Sequence, residues 1–252
     1  MKKYFALPLM AAVCLTAGAQ DFDNSPTVNI EKNDMKFTVG ARMMGDVAYY
    51  HSDFTNLKSG ASLTDARIRT SFTYNDWYFY ADFGFGGGKF SQKNIFAQWS
   101  KENSVGGVNS IKAGYYNDPG SMARNTSLGS YHFISRPGSA MALGLGRELG
   151  ITYKFRNNMW FAQQGIFTDN SYNEQSVGFG GVSLSGRWLV RPINTEDMTF
   201  HIGANFSWTH LGGGEVTNNI MKKTLTLGQP METYVDGNED MVSAVLPWAN
   251  NV

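Results

Sequence analysis

The sequence predicts an all-β fold: an antiparallel meander of about nine to ten strands that forms a partial, unclosed β-barrel. Three observations carry this reading. Apolar and polar residues alternate with period two through most of the chain, connections alternate between short and long, and aromatic residues gather at strand ends.

The alternation defines the strands in order. In Lys36–Tyr50, Phe37, Val39, Ala41, Met43, Val47 and Tyr49 oppose Lys36, Thr38, Arg42 and Asp46. In Ser62–Tyr74, Ala66, Ile68, Phe72 and Tyr74 oppose Asp65, Arg67, Arg69, Ser71 and Thr73. Asn75-Asp76 then forms a tight turn, because Asn and Asp tolerate left-handed backbone angles. In Trp77–Phe85, Tyr78, Tyr80 and Asp82 lie opposite Trp77, Phe79, Ala81, Phe83 and Phe85. Asn94–Ser100 places Phe96 with Asn94 and Gln98, and Ser110–Tyr116 places Tyr116 with Lys112. Glu148–Phe155 sets Glu148, Thr152 and Lys154 against four apolar residues. Met159–Phe167 alternates poorly and is a strand mainly by position. Gly181–Arg191 opposes Ser183, Ser185, Arg187 and Arg191 to Val182, Leu184, Trp188 and Val190, and Thr199–Trp208 continues the pattern. A tenth strand is expected to begin near Met241.

The connections separate by length. Asn75-Asp76, Lys101–Asn109, Arg156–Asn158 and Pro192–Asp197 are short or moderate, whereas His51–Gly60, Gly86–Lys93, Asn117–Arg147, Thr168–Ser176 and Leu211–Asp240 are mostly longer. Short turns at one end, long loops at the other and aromatic girdles at both are features of outer-membrane barrels. The expected girdle comprises Tyr49, Tyr74, Trp77, Phe85, Trp99, Tyr115, Phe155, Trp188 and Trp208. A secreted β-sandwich would also alternate, but has no reason to sort its loops by length.

Charged residues make up 17% of the 252 and glycine is abundant at 28, which suits strands and turns. The net charge is zero, so no overall field points to nucleic acid. Lys2 and Lys3, an apolar run from Tyr4 to Thr16, and Ala17-Gly18-Ala19 have the form of a secretory signal. The expected division is therefore a signal peptide over residues 1–19 and a barrel domain over residues 20–252, delivered to the outer membrane. Cys14 is the only cysteine, and Val13 before it disfavours a lipid anchor. Cleavage would leave no disulfide or thiolate metal site.

Several segments together resemble the phosphate-selective porin family of outer-membrane β-barrels. They are Phe37–Tyr50, Thr64-Asp-Ala-Arg-Ile-Arg69 with Ala81-Asp82-Phe83, Ile111–Pro119, Thr126-Ser127, Phe133–Pro137 and Gly146–Ile151. Their order spans residues 36–155, and the likeness fades beyond about residue 192. The resemblance implies a homotrimer of sixteen-stranded barrels, passive diffusion of small anions such as phosphate, and a third loop folded inward. It makes Asn117–Arg147 that loop, with Arg124, His132 and Arg136 within it. Arg136 and Arg147 would then anchor it or face the pore. The chain differs from the family in having only nine arginines, without a dense ladder, and in ending at Val252 without a terminal aromatic strand. The expectation is a truncated product that forms no stable monomeric pore.

If the apolar faces meet lipid, the opposite faces line water. The cations there are Lys36, Arg42, Arg67, Arg69, Lys112, Lys154, Arg187 and Arg191, against Asp46, Asp65, Asp82 and Glu148. Low-dielectric walls would focus such a surplus. The candidate anion-binding residues are accordingly Arg42, Arg67, Arg69, Lys112, Arg136, Lys154, Arg187 and Arg191. Arg67 and Arg69 share one strand face and could both address one anion, or could pair with Asp65 and Asp82.

No catalytic motif, metal site or cofactor is expected. His51, His132, His201 and His210 lack ligand spacing, and Asp236, Asn238 and Asp240 make an incomplete calcium pattern. The alternative reading is a secreted or outer-membrane β-protein that binds carbohydrate through loop aromatics such as Tyr131 and Tyr172, and is not a channel.

Overall fold

The computed structural model describes residues 27–51, 59–86, 90–104, 106–127, 136–137, 146–168 and 181–211, together with strand segments 215–217, 220–222, 224–230 and 240–247. The main sheet holds β1 (Thr27–Lys32), β2 (Met35–Ala48), β3 (Gly60–Tyr74), β4 (Trp77–Gly84), β5 (Ser91–Glu102), β6 (Val108–Asn117), β7 (Arg147–Arg156), β8 (Trp160–Thr168), β9 (Gly181–Asn194) and β10 (Thr199–Leu211). Each strand pairs antiparallel with the next in chain order. β1 and β10 form the two edges and do not pair with each other, so the ten-stranded sheet is open.

The nine expected strands correspond to β2–β10. β1 is additional, with Val28 and Ile30 continuing the outer apolar face. It joins β2 through Asn33-Asp34, and Asn33, like Asn75, has a positive φ. Those two asparagines occupy the left-handed region that a tight hairpin demands. The expected tenth strand exists as β14 (Asp240–Pro247), but it pairs with β13 (Thr224–Pro230) and not with β10. The Leu211–Asp240 segment, expected to be a loop, also contains the short pair β11 (Glu215–Thr217) and β12 (Ile220–Lys222). The weak pattern of Met159–Phe167 nonetheless yields β8, held in register by β7 and β9.

Burial is inverted relative to a water-soluble domain. Among the described residues, 30 large hydrophobic side chains are exposed and three are buried, while 14 polar or charged residues are buried. A sandwich would bury the first group. Here the apolar residues form an outer face suited to lipid, and the polar residues an inner face. Backbone groups of β2–β9 are paired on both sides, as hydrocarbon demands, while β1 and β10 each present one open edge. No helix among the described residues is long and apolar enough to cross a membrane.

Register places residues of one kind in lines across the strands. Tyr74, Trp77, Trp99, Ile111 and Tyr153 are successive partners on the outer face near the short turns, as a girdle requires. Tyr115 departs from that expected girdle: it is 4% exposed. On the inner face Ser71, Tyr80, Phe96, Gly114, Gly150, Phe167 and Ser183 are successive partners. Gly114 has φ +141°, and a Cβ there would lie 2.3 Å from the Ile95 carbonyl oxygen. Only glycine lets the strand pass so close to β5.

Candidate functional site

The site forms where the connection after β6 lies against the inner face. The neck of this loop is tied by a hydrogen bond from the Asp118 N–H to the Gly146 carbonyl, 3.1 Å. Asn205 of β10 donates its side-chain amide to the Gly120 carbonyl. One helical turn follows, α1 (Met122–Asn125), whose N-cap Ser121 Oγ accepts from the Arg124 N–H at 3.3 Å. Past α1, Ser127 Oγ accepts from Arg42 Nη1 of β2 at 2.7 Å. The loop therefore touches strands near both edges of the sheet.

Arg136 returns onto the same segment. Its Nε donates to the Ala123 carbonyl at 3.1 Å and its Nη2 to the Thr126 carbonyl at 3.0 Å. The acceptors are a carbonyl of α1 and that of its C-cap Thr126, positions a guanidinium suits well. Arg147, at the start of β7, donates Nε to Asn94 Oδ1 of β5 at 2.9 Å.

Between loop and wall is a cavity of about 200 Å³ into which Arg42, Arg67, Arg69, Arg124, Arg136 and Arg147 converge, with Tyr80 and Asp82. Asp65 pairs with both Arg42 and Arg67, and Asp82 pairs with Arg67 at 2.9 Å. Among the described residues that line it, six guanidiniums stand with one carboxylate, Asp82, while Asp65 pairs with two of them from the wall. The acids hold the arginines in place: Arg67 gives Nε to Asp65 and Nη1 to Asp82, so its fork is committed to the wall. It contributes field and rigidity more than a direct contact. Arg69 stands across from Asp82 in register.

At the loop neck, Asp118 is 2% exposed. Its Oδ2 accepts from the Gly120 N–H at 2.8 Å. Burial raises its pKa above the ordinary carboxylate value, against the lowering effect of that hydrogen bond and of Arg124 and Arg187.

The candidate residues from the sequence separate into two groups. Arg42, Arg67, Arg69 and Arg136 meet in the cavity, while Lys112, Lys154, Arg187 and Arg191 do not line it. Lys112 Nζ lies 4.9 Å from the Phe96 ring centre and 3.9 Å from that of Tyr116. Lys154 is across from Ser110 and Gln163 on the inner face. Arg187 lies over the Phe161 ring at 5.1 Å. Arg191 donates to the Asn157 carbonyl and so braces a turn. Lys36 pairs with Glu31 at 3.0 Å, an acid on the strand that the sequence reading missed. Arg124, Arg147 and Tyr80 are cavity residues absent from the candidate set. Arg124 was legible only as a loop cation, Arg147 through the resemblance as a loop anchor or pore-facing residue, and Tyr80 only as an inward residue. His132, Tyr131, Tyr172, Asp236, Asn238 and residues 1–19 fall outside the described residues. Among those described, no group of His, Cys, Asp and Glu could hold a metal ion.

An open-sided sheet with an apolar exterior, a charged interior and a loop laid across that interior defines a membrane β-barrel protein of the porin class. Residues 37–249 match the family phosphate-selective porin O and P, and the chain belongs to that family. The match extends well past residue 192, where the sequence likeness had been expected to fade. No curated protein matches the chain. The family is one of channels, located in the outer membrane and associated with phosphate passage.

Proposed function

We propose that this chain forms the wall and constriction of a pore through which small anions, phosphate among them, diffuse passively. The observation that carries the reading is the convergence of six arginines on one cavity beneath the inward loop. Low-dielectric walls strengthen that field, and guanidiniums match the geometry of oxyanions. The four cations of β6–β9 extend the positive inner face beyond the constriction. In this reading residues 1–19 direct export, the mature chain starts at Gln20, and the working assembly is a homotrimer.

The test is the reversal potential of the full-length chain in planar bilayers under a potassium chloride gradient. Anion preference is expected, and Arg124→Gln with Arg147→Gln should move the reversal potential toward zero. Cation preference, or no response to the two substitutions, would sink the reading.

A further inference from the structure

The arginine cavity has an aromatic flank. Tyr80 lines the cavity and, in register, faces Phe96 of β5. The two rings are stacked with centres 5.3 Å apart and planes inclined by 24°. Tyr78, two residues along β4, lies 6.2 Å from Tyr80 at 28° and 6.1 Å from Phe96. Three rings thus tile one patch of the inner face, leading from the guanidiniums toward Lys112, which sits over Phe96.

These rings differ from other aromatic side chains nearby. Tyr116 and Phe167 are 2% and 1% exposed, and Tyr116 Oη is 2.7 Å from Thr152 Oγ1. Phe167 covers Gly150, where a Cβ would meet its ring at 2.3 Å. Those two side chains fill the wall. Tyr78, Tyr80 and Phe96 are only half-buried. Aromatic faces on the polar side of a membrane barrel gain nothing from lipid, and hydroxyl or amide side chains would suit a path for a bare inorganic ion equally well. A ring beside a cationic pocket is instead a surface on which a flat solute stacks.

We propose that the cavity takes a small anion that carries a ring, with its charged head among the arginines and its ring laid on the Tyr78–Tyr80–Phe96 surface. This inference rests on the anion-pore reading and specifies its solute. The head gains charge-assisted hydrogen bonds from guanidiniums, and the body is desolvated against rings.

The experiment measures binding of phenyl phosphate and of inorganic phosphate to the full-length chain in detergent by titration calorimetry. The readout is the ratio of the two affinities. Phenyl phosphate should bind about tenfold more tightly, the effect of a single stacked ring. Tyr80→Leu with Phe96→Leu should bring the ratio to about one, and Tyr80→Leu with Phe96→Tyr, which returns a ring, should recover part of it. Circular dichroism of each variant checks the sheet. If the double variant fails to fold, Tyr80→Leu alone is read the same way. Phosphate binding without a phenyl preference overturns this inference and leaves the anion pore standing, as does a preference that survives the leucine variants. Absence of binding by both probes overturns this inference, and the reversal potential decides the pore reading separately.

Discussion

Arg42 Nη1 and Ser127 Oγ, 85 positions apart in the chain, are joined by a hydrogen bond of 2.7 Å. The bond fixes the segment that follows α1 to β2. Removing it with Ser127→Ala should cost about 1.5–3 kcal/mol locally, the usual range for a charged donor. Expected consequences are faster protease cleavage within residues 118–127 and a higher single-channel conductance. If neither changes, the bond does not hold the loop.

Asp65 stands between two guanidiniums and is 5% exposed. Asp65→Asn leaves Arg42 and Arg67 without that charge, and breaking a buried pair costs about 3–5 kcal/mol. The urea midpoint of unfolding from detergent should fall markedly. Lys36→Gln serves as the comparison, since its pair with Glu31 is half exposed and worth about 0–1 kcal/mol. Equal effects from the two substitutions would contradict the assignment.

Gly114→Ala should destabilise the sheet well beyond the roughly 1 kcal/mol that separates glycine from alanine elsewhere. The added carbon meets the Ile95 carbonyl oxygen at 2.3 Å in a backbone conformation that alanine rarely adopts. Gly45→Ala meets only the Ser62 carbonyl oxygen at 3.7 Å and should be near neutral. Thermal transitions of the two variants, followed by gel mobility, decide the matter.

Asp118 introduces a pH dependence at the loop neck. Its pKa is raised by burial, so the folded loop binds the proton more tightly than the unfolded chain does. That contribution is fully present below the unfolded carboxylate value, about 3.9, and is lost as pH rises through the raised folded value. Protection of residues 118–127 from protease should therefore increase on acidification from neutral pH, and Asp118→Asn should flatten the trend. A wild-type trend of the opposite sign would refute the assignment.

Strands β2–β10 were legible because period-two alternation survives in each, even where Met159–Phe167 carried it weakly. β1 was missed because six residues with two apolar positions make a faint signal, although Asn33-Asp34 repeats the Asn75-Asp76 turn. The candidate site was legible only in part. Alternation fixes which face Arg67 occupies, but its pairing with Asp82 depends on the register between β3 and β4. The meeting of Arg124 with Arg42 depends on how the loop folds back, which no local pattern encodes. Sequence order also set Lys112, Lys154, Arg187 and Arg191 beside the cavity arginines as equals, whereas the sheet distributes them over other strands.

The two anchors of the inward loop have a geometric consequence for the sheet itself. β2 and β10 are eight strand spacings apart, or about 38 Å along the sheet at about 4.8 Å each. Gly120 and Ser127 are linked by about 6 Å of helical rise and about 10 Å of extended chain. Even with the reach of the Arg42 and Asn205 side chains added, that chord is shorter than the arc it subtends. The loop therefore acts as a tie-rod under an arch, and its length sets how strongly the wall bends. Inserting one residue between α1 and Ser127 would relax the arch and flatten the wall without altering a single strand.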